Sequence, residues 1–278
     1  MPATGVSTIL IVTAIGSLAQ VIDGSLGMGF GVFSSSFMIT FGFAPAMAVA
    51  VVNASKIFTG LASGLSHWRM GNVRRDWLLP LVLGGVSGGF LGGYLLTSVP
   101  PETAKPWVSA LLLVMGLLII WRTVRWRFSS TTLKKAEKCQ TCPKGVPLDQ
   151  PENIVKRGMF KLGALGFLAA FINGLSGAYG PVATSGVLLL EKGQPRHAVG
   201  TVNMAEFFVA TTVATTILVR QGLGQFPLGL MLALSLGGIL VAPLAAYICR
   251  RFPSRGLAFL MGLSLIALNL KAVILILR

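Results

Sequence analysis

Charged residues are scarce in this chain. Only 11% of its 278 residues are Asp, Glu, Lys or Arg, whereas 54% are hydrophobic. A soluble domain of this length would carry roughly 25% charged residues, so the composition excludes a soluble globular protein. We therefore predict an all-α integral membrane protein whose apolar segments, of about 20 residues each, cross the bilayer.

Acidic residues and histidines are scarcer still, with eight Asp or Glu and two His. They form no paired acid–base constellation at one membrane face, so we predict that the protein is not an enzyme. Paired intramembrane carboxylates and His–Met clusters are also lacking, which argues against a metal cation as a transported ion. The chain has no GxxxxGK[ST] phosphate loop, and we expect no cofactor.

Only three cysteines are present, which indicates no disulfide framework. Cys139 and Cys142 form an isolated CxxC motif, whereas Cys249 lies in an apolar run. A structural zinc site needs four ligands, so this pair becomes a metal site only if two chains meet in a homodimer. The alternatives are a redox-active pair and a reduced, idle loop.

The net charge of +15 would suit a nucleic-acid partner, but its distribution does not. Lys and Arg occupy almost entirely short connections and one linker, residues 122–158, as the positive-inside rule predicts. We expect the lipid bilayer and a small anion as partners, no nucleic acid, and a multi-pass protein of the cytoplasmic membrane with this linker in the cytoplasm. His67, Arg69, Arg74 and Arg75 are interpreted as topology determinants in a cytoplasmic loop.

The linker divides the chain into two halves that match each other. An offset of 150 positions aligns Gly24 with Gly174, Gly27 with Gly177, Pro45 with Pro195, and Asn53 with Asn203. Chance hydrophobic similarity would match Leu and Val rather than Gly, Pro and Asn, so we infer a tandem duplication. The predicted domains are a membrane repeat at 1–121, the basic linker at 122–158 and a second membrane repeat at 159–278.

The first apolar run of each half, 7–42 and 159–190, is too long for one membrane crossing and short for two. If each run returns to the side it entered, as a re-entrant hairpin or two short tilted helices, the halves are inverted. That topology places 18 Lys or Arg in the cytoplasm and three outside, whereas single crossings give 15 and six. The count favours two inverted-topology repeats, each a broken segment followed by three transmembrane helices.

Each broken segment is a candidate binding element. Residues 23–31 and 173–181 interrupt the apolar runs with helix breakers, and a helix restarting at membrane depth would present its N–H groups and positive dipole end to an anion. The alternative is that the glycines only permit a tight turn. The candidate residues are Gly24, Gly27, Gly29, Gly31, Ser34 and Ser35 in the first half, and Gly174, Gly177, Thr184 and Ser185 in the second.

Side chains on the next helix of each half complete the candidate site. Asn53 and Asn203 are equivalent, and three residues further on Lys56 corresponds to Glu206. A charge inside a membrane helix costs roughly 2.5–3.5 kcal/mol and therefore usually faces a cavity or a partner. We expect Lys56 to be the counter-charge of an anion and Glu206 or Asp23 to carry a coupling proton; the alternative is that Lys56 and Glu206 simply pair.

A different glycine pattern predicts helix packing. The glycines repeat in two rows at intervals of four residues, which leaves bare backbone where another helix can approach closely. They are Gly84, Gly88 and Gly92 in one row and Gly85, Gly89 and Gly93 in the other.

Together these features resemble the TauE/SafE sulfite exporter family of membrane permeases. The features are the Gly-rich stretch and its second copy, the basic linker, and a Pro-x-x-Ala-Val-x-x-Val-Asn segment that begins at Pro45 and again at Pro195. The resemblance implies secondary transport, usually outward, of a small sulfur-containing anion such as sulfite, sulfoacetate or a related organosulfonate. The competing functions are a channel or importer for another oxyanion and a membrane-embedded enzyme or a sensor that uses the CxxC linker.

Overall fold

The computed structural model describes residues 6–137, 152–190, 195–224, 226–251, 259, 262–263, 265–270 and 274. Within these residues it contains helices and no strand, which confirms the all-α prediction. The helices with assigned bounds are α1 (Val6–Leu26), α2 (Phe30–Thr40), α3 (Pro45–Arg69), α4 (Arg75–Ser98), α5 (Pro101–Glu137), α6 (Glu152–Ser176), α7 (Gly180–Leu190), α8 (Pro195–Gln221) and α9 (Leu228–Arg251).

Among the described residues, seven helices are long and apolar enough to cross a membrane: α1, α3, α4, α5, α6, α8 and α9. The other two, α2 and α7, have 11 residues each. At 1.5 Å per residue each spans about 16 Å, roughly half of a hydrocarbon core. The long first run of each half is therefore a full-length helix followed by a half-length one, in a multi-pass membrane protein.

Both breaks have the same backbone geometry. Gly27 and Gly177 have φ values of 69° and 81°, a left-handed conformation that residues with a Cβ rarely adopt. Their N–H groups donate to the carbonyl oxygens of Asp23 and Asn173, four residues back, at 2.6 and 2.7 Å. The left-handed glycine ends the first helix, and the chain turns before the next begins.

Three helices, α1, α3 and α9, run parallel to one another. Gly16 lies against Leu234 and Gly24 against Ala245, so the residue numbers of α1 and α9 rise together along their contact. The same holds for α3 and α9, where Ser55 donates to the carbonyl oxygen of Met231 and Thr59 packs on Gly238. We call these three helices the first triplet.

The second triplet consists of α6, α8 and α4. In the repeat alignment these helices correspond to α1, α3 and α9 of the first triplet. Gly84 lies against Gly163 and Gly88 against Phe167, which makes α4 parallel to α6. Each triplet therefore takes two helices from its own half and one helix from the other half.

The two triplets meet through α3 and α8, which are antiparallel. Gly60 lies against Phe207 and Gly64 against Met204, so residue numbers rise in opposite directions along this contact. A two-fold axis perpendicular to the helices relates equivalent elements in this way. The inverted orientation of the halves across a bilayer stays a prediction, and this packing supports it.

The glycine rows of α4 pack as predicted. A Cβ added to Gly88 would lie 2.1 Å from the carbonyl oxygen of Phe167, and Gly84 and Gly92 approach the α6 backbone just as closely. The other row, Gly85, Gly89 and Gly93, faces side chains of α8. Bare backbone on α4 is thus what allows the second triplet to pack so tightly.

The region around the linker is partly described. Helix α5 runs to Glu137, well into the predicted 122–158 segment, and α6 begins at Glu152, before that segment ends. Cys139 and Cys142 lie outside the described residues. The predicted domain boundaries and the role of the CxxC pair therefore stay predictions.

We expect Gly88→Ala to destabilise the fold, because the new methyl group would collide with the α6 backbone. Unlike a side chain, the backbone cannot relieve this collision by changing its rotamer. Overpacking of this kind typically costs about 1–3 kcal/mol. Gly229→Ala is the matched control, because a Cβ on Gly229 would meet nothing within 4 Å. Thermal unfolding of the purified proteins in detergent should give a lower Tm for Gly88→Ala only; equal Tm values would contradict the packing.

Candidate binding site at the two helix breaks

The two breaks lie in direct contact. A Cβ on Gly31 would lie 1.8 Å from the carbonyl oxygen of Gly177, and a Cβ on Gly177 would lie 2.2 Å from Ser35 Oγ. On the other side, Thr184 Oγ1 donates to the carbonyl oxygen of Gly27. The structure thus brings together five of the predicted residues and, with them, the N-termini of α2 and α7.

This meeting point lies at the middle of α3. Gly31, in the first turn of α2, lies against the side chain of Lys56, which is near the midpoint of the 25-residue helix α3. Helix α2 then ends at Thr40, five residues before α3 begins at Pro45. A half-helix therefore begins deep inside the protein, as predicted.

Lys56 is buried at this point, with 1% of its side chain exposed. Its ammonium nitrogen lies 2.7 Å from Glu206 Oε1, and it donates to the Gly177 carbonyl oxygen at 2.9 Å and to Asn173 Oδ1 at 3.3 Å. Lys56 and Glu206 therefore pair in this conformation, which is the alternative weighed above. The role of Lys56 as the counter-charge of an anion stays a prediction.

The equivalent asparagines each join one half to the break of the other half. Asn173 Nδ2 donates to Asn53 Oδ1 at 2.8 Å. Reciprocally, Asn203 Nδ2 lies 3.5 Å from the carbonyl oxygen of Asp23, and Asn203 Oδ1 accepts from Ser63 Oγ at 2.9 Å. In this conformation the side chains of both predicted asparagines therefore hydrogen-bond to other groups of the protein.

Asp23 caps the first half-helix. Its Oδ1 accepts a hydrogen bond from the backbone N–H of Phe30, the first residue of α2, at 3.2 Å. Lys56 packs against Gly31, the residue after Phe30, so the Asp23 carboxyl group lies near the Lys56–Glu206 pair. A protein carboxyl group thus occupies the positive end of α2, whereas the equivalent residue in the second break is the neutral Asn173.

Three buried hydroxyl groups in and beside the breaks have no hydrogen-bond partner among the described residues. They belong to Ser34 and Ser35 on α2 and Tyr179 in the second break, and each residue is at most 1% exposed. An unsatisfied buried hydroxyl costs about 1–3 kcal/mol, so such groups need an explanation. Donors free to bind a ligand would supply one.

The other predicted residues have different surroundings. Gly24 and Gly174 lie against Ala245 on α9 and Gly92 on α4, so they serve the packing within the two triplets. Gly29 precedes α2, and its carbonyl oxygen accepts from the N–H of Phe33. Ser185 is half-buried beside Thr184 on α7.

Sequence reasoning did not assign Asn173 or Tyr179 to the site. The signal for Asn173 was present, because the 150-residue offset aligns it with Asp23. Tyr179 aligns with Gly29, so the repeat gave no signal for it.

The interpretation of His67 as a topology determinant in a loop is wrong. Helix α3 runs on to Arg69, and His67 is a fully buried residue of its last turns. Its Nε2 lies 2.9 Å from the Gly24 carbonyl oxygen and its Nδ1 lies 3.2 Å from Asn72 Nδ2. His67 therefore joins the end of α3 to the first break.

Metal binding finds no support in the described part of the chain. No group of three or more His, Cys, Asp or Glu side chains there is arranged to hold a metal ion.

Comparison with known proteins shows which family this chain belongs to. The family model described as "Sulfite exporter TauE/SafE" matches residues 12–272. "Probable membrane transporter protein YtnM" of Bacillus subtilis (strain 168) is 35% identical over 269 residues, which are 96% of this chain and 83% of that protein. No solved structure matches the chain.

We expect Lys56→Met to destabilise the protein strongly, because it would leave Glu206 without its ion-pair partner. Removing one member of a buried pair typically costs about 3–5 kcal/mol, whereas replacing both members often costs little. The double variant Lys56→Met/Glu206→Met should therefore regain much of the lost Tm in detergent. A double variant no more stable than Lys56→Met would show that the two side chains are not coupled.

Proposed function

The chain is a membrane transporter of the TauE/SafE sulfite exporter family, and we propose that it exports a small sulfur-containing anion across the cytoplasmic membrane. The proposed substrate is sulfite, which the family's description names, or sulfoacetate or a related organosulfonate. Transport is secondary in this proposal. The 122–158 linker lies in the cytoplasm, and so do most of the basic residues in the other connections between helices.

One observation carries this proposal: a buried ammonium group lies where two half-helices begin. Lys56 contacts the second break directly, and the unpartnered hydroxyls of Ser34, Ser35 and Tyr179 belong to the same breaks or the turn that follows them. The oxygens of a sulfite or sulfonate group accept hydrogen bonds and carry negative charge. A cation with several hydroxyl donors is complementary to that chemistry.

The contact between the breaks supports an alternating-access mechanism. Gly31 and Gly177 are too close in this conformation to admit an anion between them. Binding therefore requires the breaks to separate, and the α3–α8 contact between the two triplets is where separation would begin. In this proposal each triplet moves as a unit, with the pseudo-two-fold axis through the site.

The competing function within transport is a channel or importer for another oxyanion. Two breaks in direct contact suit a gated site better than an open pore. A membrane-embedded enzyme would need chemistry that the described part of the site does not assemble, since its titratable groups bond one another and the helix ends.

Flux measurements test the proposal directly. We expect the purified protein in liposomes to move sulfite or sulfoacetate faster than sulfate and phosphate, with an imposed pH gradient and each anion tested separately. Empty liposomes are the control. Absence of flux for all four anions would overturn the function, and preference for phosphate or sulfate would favour the competing oxyanion transporter.

We expect Ser35→Ala and Tyr179→Phe to raise the KM for the transported anion about tenfold each. A hydrogen bond to a charged group contributes roughly 1.5 kcal/mol, which corresponds to that factor. Ser109→Ala is the matched control, because the Ser109 hydroxyl is also buried and unpartnered but lies on α5. If all three variants show the same KM as the original protein, these hydroxyls do not contact the anion.

A further inference from the structure

The charges buried at the site do not balance. Lys56 is one cation, whereas Asp23 and Glu206 are two carboxyl groups, and all three residues are at most 3% exposed. Among the described residues, the other titratable groups near this cluster are the Tyr179 hydroxyl from the second break and His67, whose ring bonds the Gly24 carbonyl oxygen. Neither group supplies a second cation. Tyrosine carries no positive charge, and His67 is neutral when its Nε2 donates to the Gly24 carbonyl oxygen and its Nδ1 accepts from Asn72 Nδ2.

The duplication explains how this arrangement arose. The 150-residue offset aligns Lys56 with Glu206 and Asn173 with Asp23. Lys56 donates to Asn173 Oδ1 in one copy of the contact. The corresponding residues of the equivalent copy are Glu206 and Asp23, so two carboxyl groups stand where the first copy has an ammonium and an amide.

Two buried carboxyl groups near one ammonium require a proton. Two carboxylates in a water-poor interior repel each other strongly, and one ammonium can balance only one of them. The ammonium of Lys56 neutralises one carboxylate of the pair. The cluster is therefore neutral when it holds one ammonium, one carboxylate and one carboxylic acid.

We propose that Asp23 and Glu206 form the proton-carrying site of this transporter and that each bound anion is accompanied by one additional proton. The inference rests on the proposed function, because it uses the anion site at Lys56. An incoming anion takes the place of the Glu206 carboxylate on the ammonium group. Glu206 then takes a proton from the aqueous side to which the site is open, and Lys56 keeps its own proton.

Release reverses these steps on the other side of the membrane. The anion leaves Lys56, Glu206 gives its proton to water, and the carboxylate returns to the ammonium. Each cycle moves one anion and one proton in the same direction, so transport of a monovalent anion is electrically neutral. An anion that accumulates inside the cell therefore leaves with a proton, and the combined gradients set the direction.

The stoichiometry is measured in liposomes that contain a pH-sensitive dye, with the membrane potential clamped by potassium and valinomycin. The probes are sulfite and sulfoacetate. We expect about one proton per anion for the original protein, and a pH difference of one unit should shift the final anion ratio about tenfold. Anion flux with no proton movement would overturn this inference and leave the proposed function standing; no anion flux at all would reject both.

Glu206→Gln is the decisive variant for the stoichiometry, because Glu206 takes up the transported proton in this mechanism; the number of protons per anion should fall from about one to zero. Asp23→Asn retains the Lys56–Glu206 pair, and the equivalent position of the second copy already holds an asparagine, so it should leave the number of protons per anion at about one. Asp76→Asn makes the same chemical change at an exposed carboxylate paired with Arg74 and should leave the ratio at one. Comparison with these variants also cancels the protons that sulfite itself binds.

Infrared spectroscopy gives a second readout that needs no substrate. The original protein and Asp76→Asn should show the carbonyl stretching band of a buried carboxylic acid, and Asp23→Asn should lack it. Glu206→Gln leaves Lys56 without an ion pair, and if that variant does not fold, the band in Asp23→Asn still tests the buried acid because this variant keeps the pair. An acid band in Asp23→Asn equal to that of the original protein would overturn the proposal, and so would one proton per anion in a folded Glu206→Gln protein.

Discussion

The three contacts of one ammonium group hold the centre of this protein together. Lys56 reaches from α3 to Glu206 on α8 and to Asn173 and Gly177 in the second break. Apolar helices in a bilayer gain little from burying apolar surface against one another, because lipid is equally apolar. Polar contacts therefore decide which faces meet, and the asparagines and half-helices are arranged around this lysine.

Glycine sets the second constraint, because it decides how closely the helices approach. Within a triplet, backbone lies on backbone along whole helix faces, as Gly88 on α4 shows against Phe167. Such a contact has no side chains that can rearrange, so it is rigid. Between the triplets, Gly60 and Gly64 also lie against α8, but the contacts at the breaks are an ion pair, amides and hydroxyls, which can exchange partners. A membrane protein that changes conformation requires rigid groups of helices and an interface between them whose contacts can change.

Much of this architecture could be predicted from the sequence, because duplication and helix breaking are local signals. The offset that aligns Asn53 with Asn203 also places Lys56 opposite Glu206, and the left-handed glycines at 27 and 177 end their helices where the breaks were expected. The neighbour that each residue faces could not be predicted, because it depends on how the helices are oriented relative to one another. Gly24 and Gly27 look alike in the sequence, yet one faces α9 and the other faces Thr184. His67 was assigned to a loop because its burial depends on how far α3 extends.

The exchange of one helix between the halves has a consequence for biosynthesis. The first triplet contains α1, which ends at Leu26, and α9, which begins only at Leu228. The ribosome thus makes about 200 residues between two neighbours whose backbones finally touch. The first half enters the bilayer with the α4 glycine row uncovered and with no partner for Lys56. Helices α1 and α3 can therefore complete their packing only after α9 has been inserted, and α4 only after α6 and α8.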